Sequence, residues 1–178
     1  MATSSACSSL ELQSKASRES RGLFFCHQPM IDVHIRPFQP QYQKAARNLI
    51  LAGLADHFEV LDSSFNRDLE DIQGNYVDRG DCFLVVFDGE ELIGTGALIS
   101  EAPDIGRIVR MSVAAHRRRQ GLARQLVQEL ISKAIKQGYT KIVVETNDDW
   151  MGAIHLYQVC GFQPYDHHNG EIHMELDL

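Results

Sequence analysis

Three consecutive arginines and a glycine, in Arg117-Arg118-Arg119-Gln120-Gly121, connect an apolar run at 108–113 to a strongly amphipathic segment that extends to about Gln137. The first amides of a helix have no partner within that helix, so they point outward at an end that carries a partial positive charge. A glycine lets the backbone approach a ligand closely, and arginines offer forked donors that suit phosphate oxygens. A strand, this turn and a helix together predict a binding site for phosphate.

Three carboxylates lie at predicted strand ends, where a general base for proton transfer would be placed. Glu145 ends the strand that begins at Lys141, at the edge where open α/β sheets bind ligands. Glu101 and Asp104 flank the strand that begins at Ile105. Each of the three is also compatible with a solvated surface carboxylate, and proton loss to water would need no dedicated base. Glu145 is the candidate base that we carry forward.

Four histidines gather late in the chain and raise the question of a metal site: His155, His167, His168 and His173. Their spacing matches no known zinc signature. Surface or substrate-lining roles are therefore favoured for these histidines, and no metal is expected.

The composition is that of a soluble globular protein. The chain has 178 residues, of which 44% are apolar and 23% charged, enough for one domain with a sizeable core. Its longest apolar runs fall short of the ~20 residues that span a bilayer, and the formal charge of -7 argues against wholesale nucleic-acid binding. Four widely spaced cysteines indicate reduced thiols and a cytoplasmic protein, with no membrane or nucleic-acid partner: Cys7, Cys26, Cys82 and Cys160.

Residues 1–29 differ from the rest of the chain. They hold seven serines, two acids and three bases, and apolar periodicity begins only at Met30. We interpret them as a disordered or dispensable tail. A transit peptide, or sequence upstream of a true start at Met30, are the alternatives.

Periodicity predicts alternating strands and helices in the remainder. Strands are expected at 31–35, 82–87, 92–99, 105–113 and 141–146, and in a hairpin at the end of the chain; helices are expected at 41–58, 63–76, 119–137 and 150–159. This order, β-α-α-β-β-β-α-β-α-β-β, predicts an α/β fold with a central mixed sheet and helices on both faces.

Turn and cap residues refine these elements. Asp88-Gly89 and Asn169-Gly170 are hairpin signals. Gly94 and Gly96 predict a bulge in the strand that they interrupt. Asp148 or Asp149 is suited to cap the last helix.

Three segments in this order resemble the GNAT superfamily of acetyl-coenzyme A-dependent N-acyltransferases. Arg118-Arg119-Gln120-Gly121-Leu122-Ala123 is similar to the coenzyme motif of that superfamily, Arg110-Met111-Ser112-Val113 to the strand before it, and 153–162 to its late Ala…Leu-Tyr…Gly-Phe signature. The resemblance covers 30–178 and implies an N-acetyltransferase domain there. It also implies acetyl-CoA as co-substrate.

The resemblance implies a set of coenzyme contacts, made by Met111, Ser112, Val113, Arg118, Arg119, Gln120, Gly121, Leu122, Ala123, Arg124, Asn147, Ala153 and Leu156. Backbone groups of Met111 and Val113 would bind the pantetheine arm, and amides of 119–124 would bind the pyrophosphate. The superfamily often has an asparagine where this chain has Trp150. Asn147, three residues earlier, is the candidate replacement.

The resemblance also implies a catalytic role for Tyr157 beside the thioester sulfur. A phenol has a pKa near 10 and is mostly protonated at neutral pH, so it can donate to the departing thiolate. The amide of Val113 would stabilise the oxyanion. Since Cys82 and Cys160 are expected to be buried, direct attack by the amine in a ternary complex is predicted.

The acceptor is expected to be a small-molecule or peptide amine. Residues 56–91 hold eleven acids and two bases, whereas 100–138 hold eight bases and three acids. An acidic acceptor mouth opposite a basic coenzyme mouth would attract a cationic amine. The acids are equally compatible with a solvated helix face. A non-catalytic acyl-CoA-binding module is the alternative function, and a homodimer is compatible with the superfamily. A dinucleotide-dependent oxidoreductase is disfavoured because no Gly-x-Gly-x-x-Gly run is present.

Overall fold

The computed structural model describes residues 33–58 and 63–178. The chain divides into two compact units, Met1–Met30 and Ile31–Leu178, and all of the described residues belong to the second. The tail expected at 1–29 lies outside the described residues, and so do Cys7 and Cys26. The domain boundary near residue 30 stays a prediction.

Seven strands form one sheet in the order β1-β2-β3-β4-β5-β7-β6. The strands are β1 (Val33–Pro37), β2 (Cys82–Asp88), β3 (Glu91–Ala102), β4 (Ile105–Val113), β5 (Lys141–Asn147), β6 (Gln163–His168) and β7 (Glu171–Asp177). The pairing of β4 with β5 is parallel, and the other described pairings are antiparallel. The predicted mixed α/β sheet is confirmed.

Four α-helices accompany the sheet: α1 (Gln43–Ala55), α2 (Ile72–Asn75), α3 (Leu122–Gln137) and α4 (Met151–Val159). Short 3-10 turns cover Pro40–Tyr42, Ser63–Glu70, Val77–Arg79 and Ala115–Arg117. Within the described residues, no helix combines the length and the apolar character needed to cross a membrane.

Alternating side chains of the strands divide the core into two layers. Phe83 and Val85 of β2 pack with Ile50 of α1 and with Ile72 of α2. Leu84, the residue between them, faces the opposite layer, which α3 and α4 cover. The members of that second layer include Ile108, Leu126, Leu130, Ile142, Ile154, Phe162 and Met174. Helices therefore lie on both faces of the sheet.

The segment predicted as one helix over 63–76 is divided into a 3-10 turn, α2 and a second turn. Asp71 interrupts it with an extended φ of -143°, and its side chain accepts the Gly74 amide at 2.9 Å. An aspartate that bonds to the nearby backbone competes with helix continuation and starts a new turn. Leu69 and Ile72 are nevertheless fully buried.

The starts of α3 and α4 also differ from expectation. Helix α3 begins at Leu122 rather than 119, because Arg119 (φ 60°) and Gly121 (φ 83°) both have left-handed backbone conformations. Helix α4 has Trp150 as its N-cap residue, without a side-chain cap. Asp148, one of the two predicted caps, instead has its carboxylate 2.8 Å from His167 Nε2.

The bulge predicted around Gly94 and Gly96 lies where β3 meets β4. The register shifts between Thr95 and Ala97, and on β4 the residue at the shift, Arg110, has a φ of 56°. A Cβ at Gly96 would stand 2.6 Å from Met111 Sδ and 3.0 Å from a Leu126 methyl. A glycine is therefore required for β3 to approach this part of β4.

The edge strand β6 is exposed at all six of its residues. An exposed edge presents unpaired backbone groups that a second chain can use. The expected homodimer stays a prediction.

We expect Gly96→Ala to lower the free energy of unfolding by about 1–3 kcal/mol, because the added methyl overpacks against Met111 and Leu126. Urea denaturation measures the change. Gly152→Ala is the matched control, since a Cβ there meets no atom within 4 Å in a helix. The control should keep or slightly raise stability. Equal stability of both variants would contradict the packing at Gly96.

Candidate active site

A cleft opens where the parallel strands β4 and β5 separate. Their pairing runs from Ile105 with Lys141 to Ile108 with Val144 and then ends. A cavity of about 340 Å³ lies at this separation. Nine residues predicted from the sequence line it: Met111, Ser112, Val113, Arg118, Ala123, Glu145, Ala153, Leu156 and Tyr157.

The backbone of β4 directs amides into this cleft. The Ala114 amide donates to the Ile93 carbonyl of β3 at 2.9 Å. Since successive amides of a strand alternate in direction, the Val113 amide faces away from β3 and toward the cleft. The carbonyl of Val113 accepts a hydrogen bond from Arg118 Nε at 3.0 Å.

The loop before α3 presents a row of amides. The first backbone bond of this segment runs from the Gln125 amide to the Gly121 carbonyl at 3.1 Å. Within the described part of the chain, the amides of 119–124 therefore have no backbone acceptor. Left-handed φ angles at Arg119 and Gly121 shape such a loop into a concavity that suits anions. No atom lies within 4 Å of a Cβ built at Gly121, so the space beside it is open.

The three arginines have different partners. Arg117 contacts the carboxylate of Asp88, and Arg118 pairs with Asp56 at 2.6 Å. Arg119 is exposed. Two of the three arginines are thus ion-paired within the protein, and the expected contacts of Arg118 and Arg119 with the coenzyme stay predictions.

The remaining loop positions divide by exposure. Leu122 is buried in the core, so that only its backbone is available to a ligand. Gln120 and Arg124 are exposed, and Gln120 Nε2 donates to the His116 carbonyl at 3.3 Å.

Tyr157 of α4 is buried and lines the cleft. Its ring packs edge-on against Phe162, with ring centroids 5.6 Å apart. Burial raises the pKa of the phenol well above its ordinary value, so the hydroxyl stays protonated at neutral pH. The structure thus provides a neutral O–H donor in the cleft.

Trp150 forms part of the cleft wall. Its ring stacks on His57 at the end of α1, with centroids 4.2 Å apart and planes at 30°, and Phe58 packs nearby. Asn147 does not line the cleft; it is the last residue of β5, opposite Glu171 of β7. The pairing with β7 holds Asn147 in the sheet.

A second cavity, of about 380 Å³, shares Glu145 and Arg110 with the first. Its lining residues are Asp68, Tyr76, Ile99, Arg107, Ile108, Val109, Arg110 and Glu145. The two cavities therefore meet where β4 and β5 separate.

Arg110 anchors the wall of the second cavity. Its Nε lies 2.9 Å from Asp68 Oδ2 and 3.1 Å from the Tyr76 hydroxyl, and its Nη1 lies 2.9 Å from Asn66 Oδ1. Burial, followed by the hydrogen bond to Asp68, raises the pKa of Tyr76 to about 12. The Arg110 carbonyl accepts from Thr95 Oγ1 at 2.9 Å.

Sequence reasoning missed this network. An arginine inside the apolar run at 108–113 was a visible signal, because a charge in such a strand needs a partner. That partner, Asp68, lies 42 residues away in the sequence, so no local pattern indicates it.

Of the three candidate bases, Glu145 alone lines either cavity. Its Oε1 is contacted by Arg107 and lies 3.1 Å from His173 Nδ1. Arg107 also binds Glu101 through two hydrogen bonds of 2.7 and 2.8 Å, which lower the pKa of Glu101. The backbone carbonyl of Asp104 accepts amides at the start of β5.

Ion pairs join the acidic and basic segments of the sequence. Asp56 pairs with Arg118, Asp68 with Arg110 and Asp88 with Arg117. At these six residues the acidic and basic charges neutralise one another, and a cationic acceptor stays a prediction.

Cys82 and Cys160 are half-buried rather than buried, and neither lines the cavities. Burial raises the pKa of both thiols, which disfavours the nucleophilic thiolate. Across residues 33–58 and 63–178, no group of three or more potential ligands is arranged to hold a metal ion.

Comparison with known proteins identifies relatives. The family model for the acetyltransferase (GNAT) family matches residues 47–162. N-acetyltransferase 8B of Rattus norvegicus is 40% identical over 102 residues, which are 54% of this chain and 46% of the relative. The chain spans about half the length of such curated relatives.

Solved structures share the fold. An acetyltransferase of the GNAT family from Staphylococcus aureus Mu50 superposes with a TM-score of 0.75 at 20% identity, covering 82% of this chain and 99% of that one. A Bacillus subtilis acetyltransferase in complex with CoA has a TM-score of 0.62 at 24% identity, with the same coverage of 82% and 99%. Both likenesses extend over nearly the whole described domain.

We expect Thr95→Val to lower the free energy of unfolding by about 1–3 kcal/mol, because it leaves the Arg110 carbonyl without its side-chain donor at a buried position. Urea denaturation measures the loss. Thr140→Val is the control: its exposed hydroxyl donates to a carbonyl at 3.3 Å, and its removal should cost less than about 0.5 kcal/mol. Equal losses would argue against the importance of the bond from Thr95.

Proposed function

The chain belongs to the GNAT acetyltransferase family, and we propose that it transfers an acetyl group from acetyl-CoA to a primary amine by direct attack in a ternary complex. The separation of β4 from β5 is the observation that carries this proposal. It directs the Val113 amide into a cleft that Met111 and Tyr157 also line. A backbone hydrogen-bond donor for a coenzyme arm and a side-chain donor for a leaving thiolate thus lie in the same cleft.

The loop before α3 fits a pyrophosphate. The free amides of 119–124 converge beside the open space at Gly121, at the start of a 16-residue helix. Arg119 and Arg124 are exposed and add positive charge there. The related Bacillus subtilis fold was solved with CoA, which supports this assignment.

The cleft fits the pantetheine arm. Met111, Ser112 and Val113 form one wall, and Ala153 and Leu156 form the opposite wall. Amide groups on one side and small apolar side chains on the other suit a chain of alternating amide and methylene groups. Trp150 occupies the position where the family often has asparagine, so the ring of Trp150, rather than Asn147, contacts the arm in our proposal.

Bound acetyl-CoA would supply the activated acetyl group, and three groups of the protein would act on the reaction. Glu145 accepts a proton from the incoming ammonium. The Val113 amide donates to the carbonyl oxygen, and Tyr157 donates to the sulfur as the C–N bond forms and the C–S bond breaks. The second proton lost from nitrogen restores Tyr157, so that one proton is released per turnover.

The second cavity is the proposed entrance for the amine. It reaches Glu145 from the side of Asp68 and Tyr76, and its floor is apolar at Ile99 and Val109. Glu145 Oε2 has no hydrogen-bond partner among the described residues, so it can accept from an ammonium group. A small-molecule or peptide amine would fit this entrance, and a cationic amine would be attracted by the carboxylate.

We expect Gly121→Ala to weaken CoA binding about tenfold, because alanine disfavours the φ of 83° that shapes the loop. Titration calorimetry with CoA measures the change. Gly138→Ala is the matched control: it has the same φ of 83°, also has open space around a Cβ, and lies at the other end of α3. We expect both variants to lose a similar amount of stability. Only Gly121→Ala should bind CoA more weakly. Unaltered CoA affinity in that variant would contradict the loop assignment.

We expect Tyr157→Phe to reduce kcat roughly 10²- to 10⁴-fold while the affinity for CoA stays within about twofold, because only the proton donor is lost. Thiol release from acetyl-CoA with a panel of a polyamine, an aryl-alkyl amine and a short peptide measures turnover. Tyr165→Phe, at an exposed position on β6, is the control and should keep full activity. A wild-type chain that binds CoA but releases no thiol would instead be a binding module.

A further inference from the structure

His173 of β7 is a buried histidine to which the proposed reaction assigns no role. It is 8% exposed, and its Nδ1 lies 3.1 Å from Glu145 Oε1. Its Nε2 is buried and has no hydrogen-bond partner among the described residues. Buried polar atoms are usually paired, so a histidine in this position needs a reason.

The backbone places His173 directly opposite Glu145. The two residues are Cα partners in the antiparallel ladder of β5 and β7. Side chains directly opposite each other in such a ladder share a face of the sheet and lie in contact. The short distance therefore follows from the strand register.

A second donor reaches the same oxygen from the other side. Arg107 of β4 contacts Glu145 Oε1, and its remaining nitrogens are held by Glu101 at 2.7 and 2.8 Å. Glu145 itself is 37% exposed at its side chain, an exposure at which a glutamate would otherwise sample several rotamers. Two donors on Oε1 leave Oε2 as the oxygen without a partner among the described residues.

The imidazole is itself held in place. His168 stacks on it with ring centroids 4.4 Å apart and planes at 11°, and Tyr165 packs against it at 6.0 Å. An N–H at Nδ1 donates to the Glu145 carboxylate across the 3.1 Å contact.

We propose that His173 is a positioning residue for the acetyl-transfer site: together with Arg107 it fixes the Glu145 carboxylate so that Oε2 meets the acceptor amine. The inference rests on the proposed function, in which Glu145 receives the proton of the amine. It assigns to β7, outside the motifs of the coenzyme site, a contribution to the chemistry on the acceptor side.

The test uses four variants of the full chain in the thiol-release assay. His173→Phe keeps an aromatic ring between His168 and Tyr165 but removes the donor, and His173→Asn retains an N–H donor near the position of Nδ1. Glu145→Gln and the double variant Glu145→Gln/His173→Phe show whether His173 acts through Glu145. His167→Leu, at an exposed position of β6 whose ring contacts Asp148 rather than His173, is the control.

We expect His173→Phe to lower kcat for the amine about 10- to 100-fold, with CoA affinity by calorimetry unchanged, because the carboxylate loses its alignment. His173→Asn should stay within about threefold of the wild type. In the Glu145→Gln background, His173→Phe should cause no further loss of kcat. A general effect on folding would instead multiply the kcat losses of the two single variants. His167→Leu should keep wild-type activity.

Wild-type kcat in His173→Phe, an equal loss in His173→Asn, or multiplied losses in the double variant would each overturn this inference while leaving the proposed function intact. A wild-type chain that turns over no amine overturns both. If thermal melting shows that His173→Phe does not fold, His173→Leu takes its place in the same comparisons.

Discussion

The separation of β4 from β5 after four paired residues is the constraint on which the site depends. Backbone amides that leave a ladder must find other partners, because an unpaired buried amide costs free energy. The bulge at Arg110, with its left-handed φ of 56°, keeps β4 attached to β3 through this region. The unpaired side of β4 is therefore left available to a ligand, between α4 on one side and the second cavity on the other.

Ion pairs hold the walls of this opening together. Asp68 and Arg110 connect the acid-rich segment before β2 to the strand that borders the cleft, and Asp56 and Arg118 connect the end of α1 to the loop before α3. The pair of Asp68 with Arg110 is partly buried and shares hydrogen bonds with Tyr76 and Asn66, which makes it stronger than an isolated surface pair. Acidic and basic residues that are segregated along the sequence thus form ion pairs between separate elements of the structure.

Local patterns predicted the strands to within a few residues, because alternating burial has a short period that a sequence displays directly. The helix expected at 63–76 was wrong, since one aspartate, Asp71, competes for the backbone. The loop before α3 is contiguous, and its shape could be predicted from its motif. The contacts of Glu145 could not be predicted, because Arg107 and His173 reach it from separate strands. Cross-strand register, which a single sequence does not state, brings them together.

Trp150 has a further consequence, which follows from its being the chain's one tryptophan. The indole forms part of the cleft wall and stacks on the imidazole of His57. Near-ultraviolet excitation selective for indole thus addresses a single chromophore in the wall of this cleft. The fluorescence emission of Trp150 therefore reports local changes in that wall without an added dye or tag.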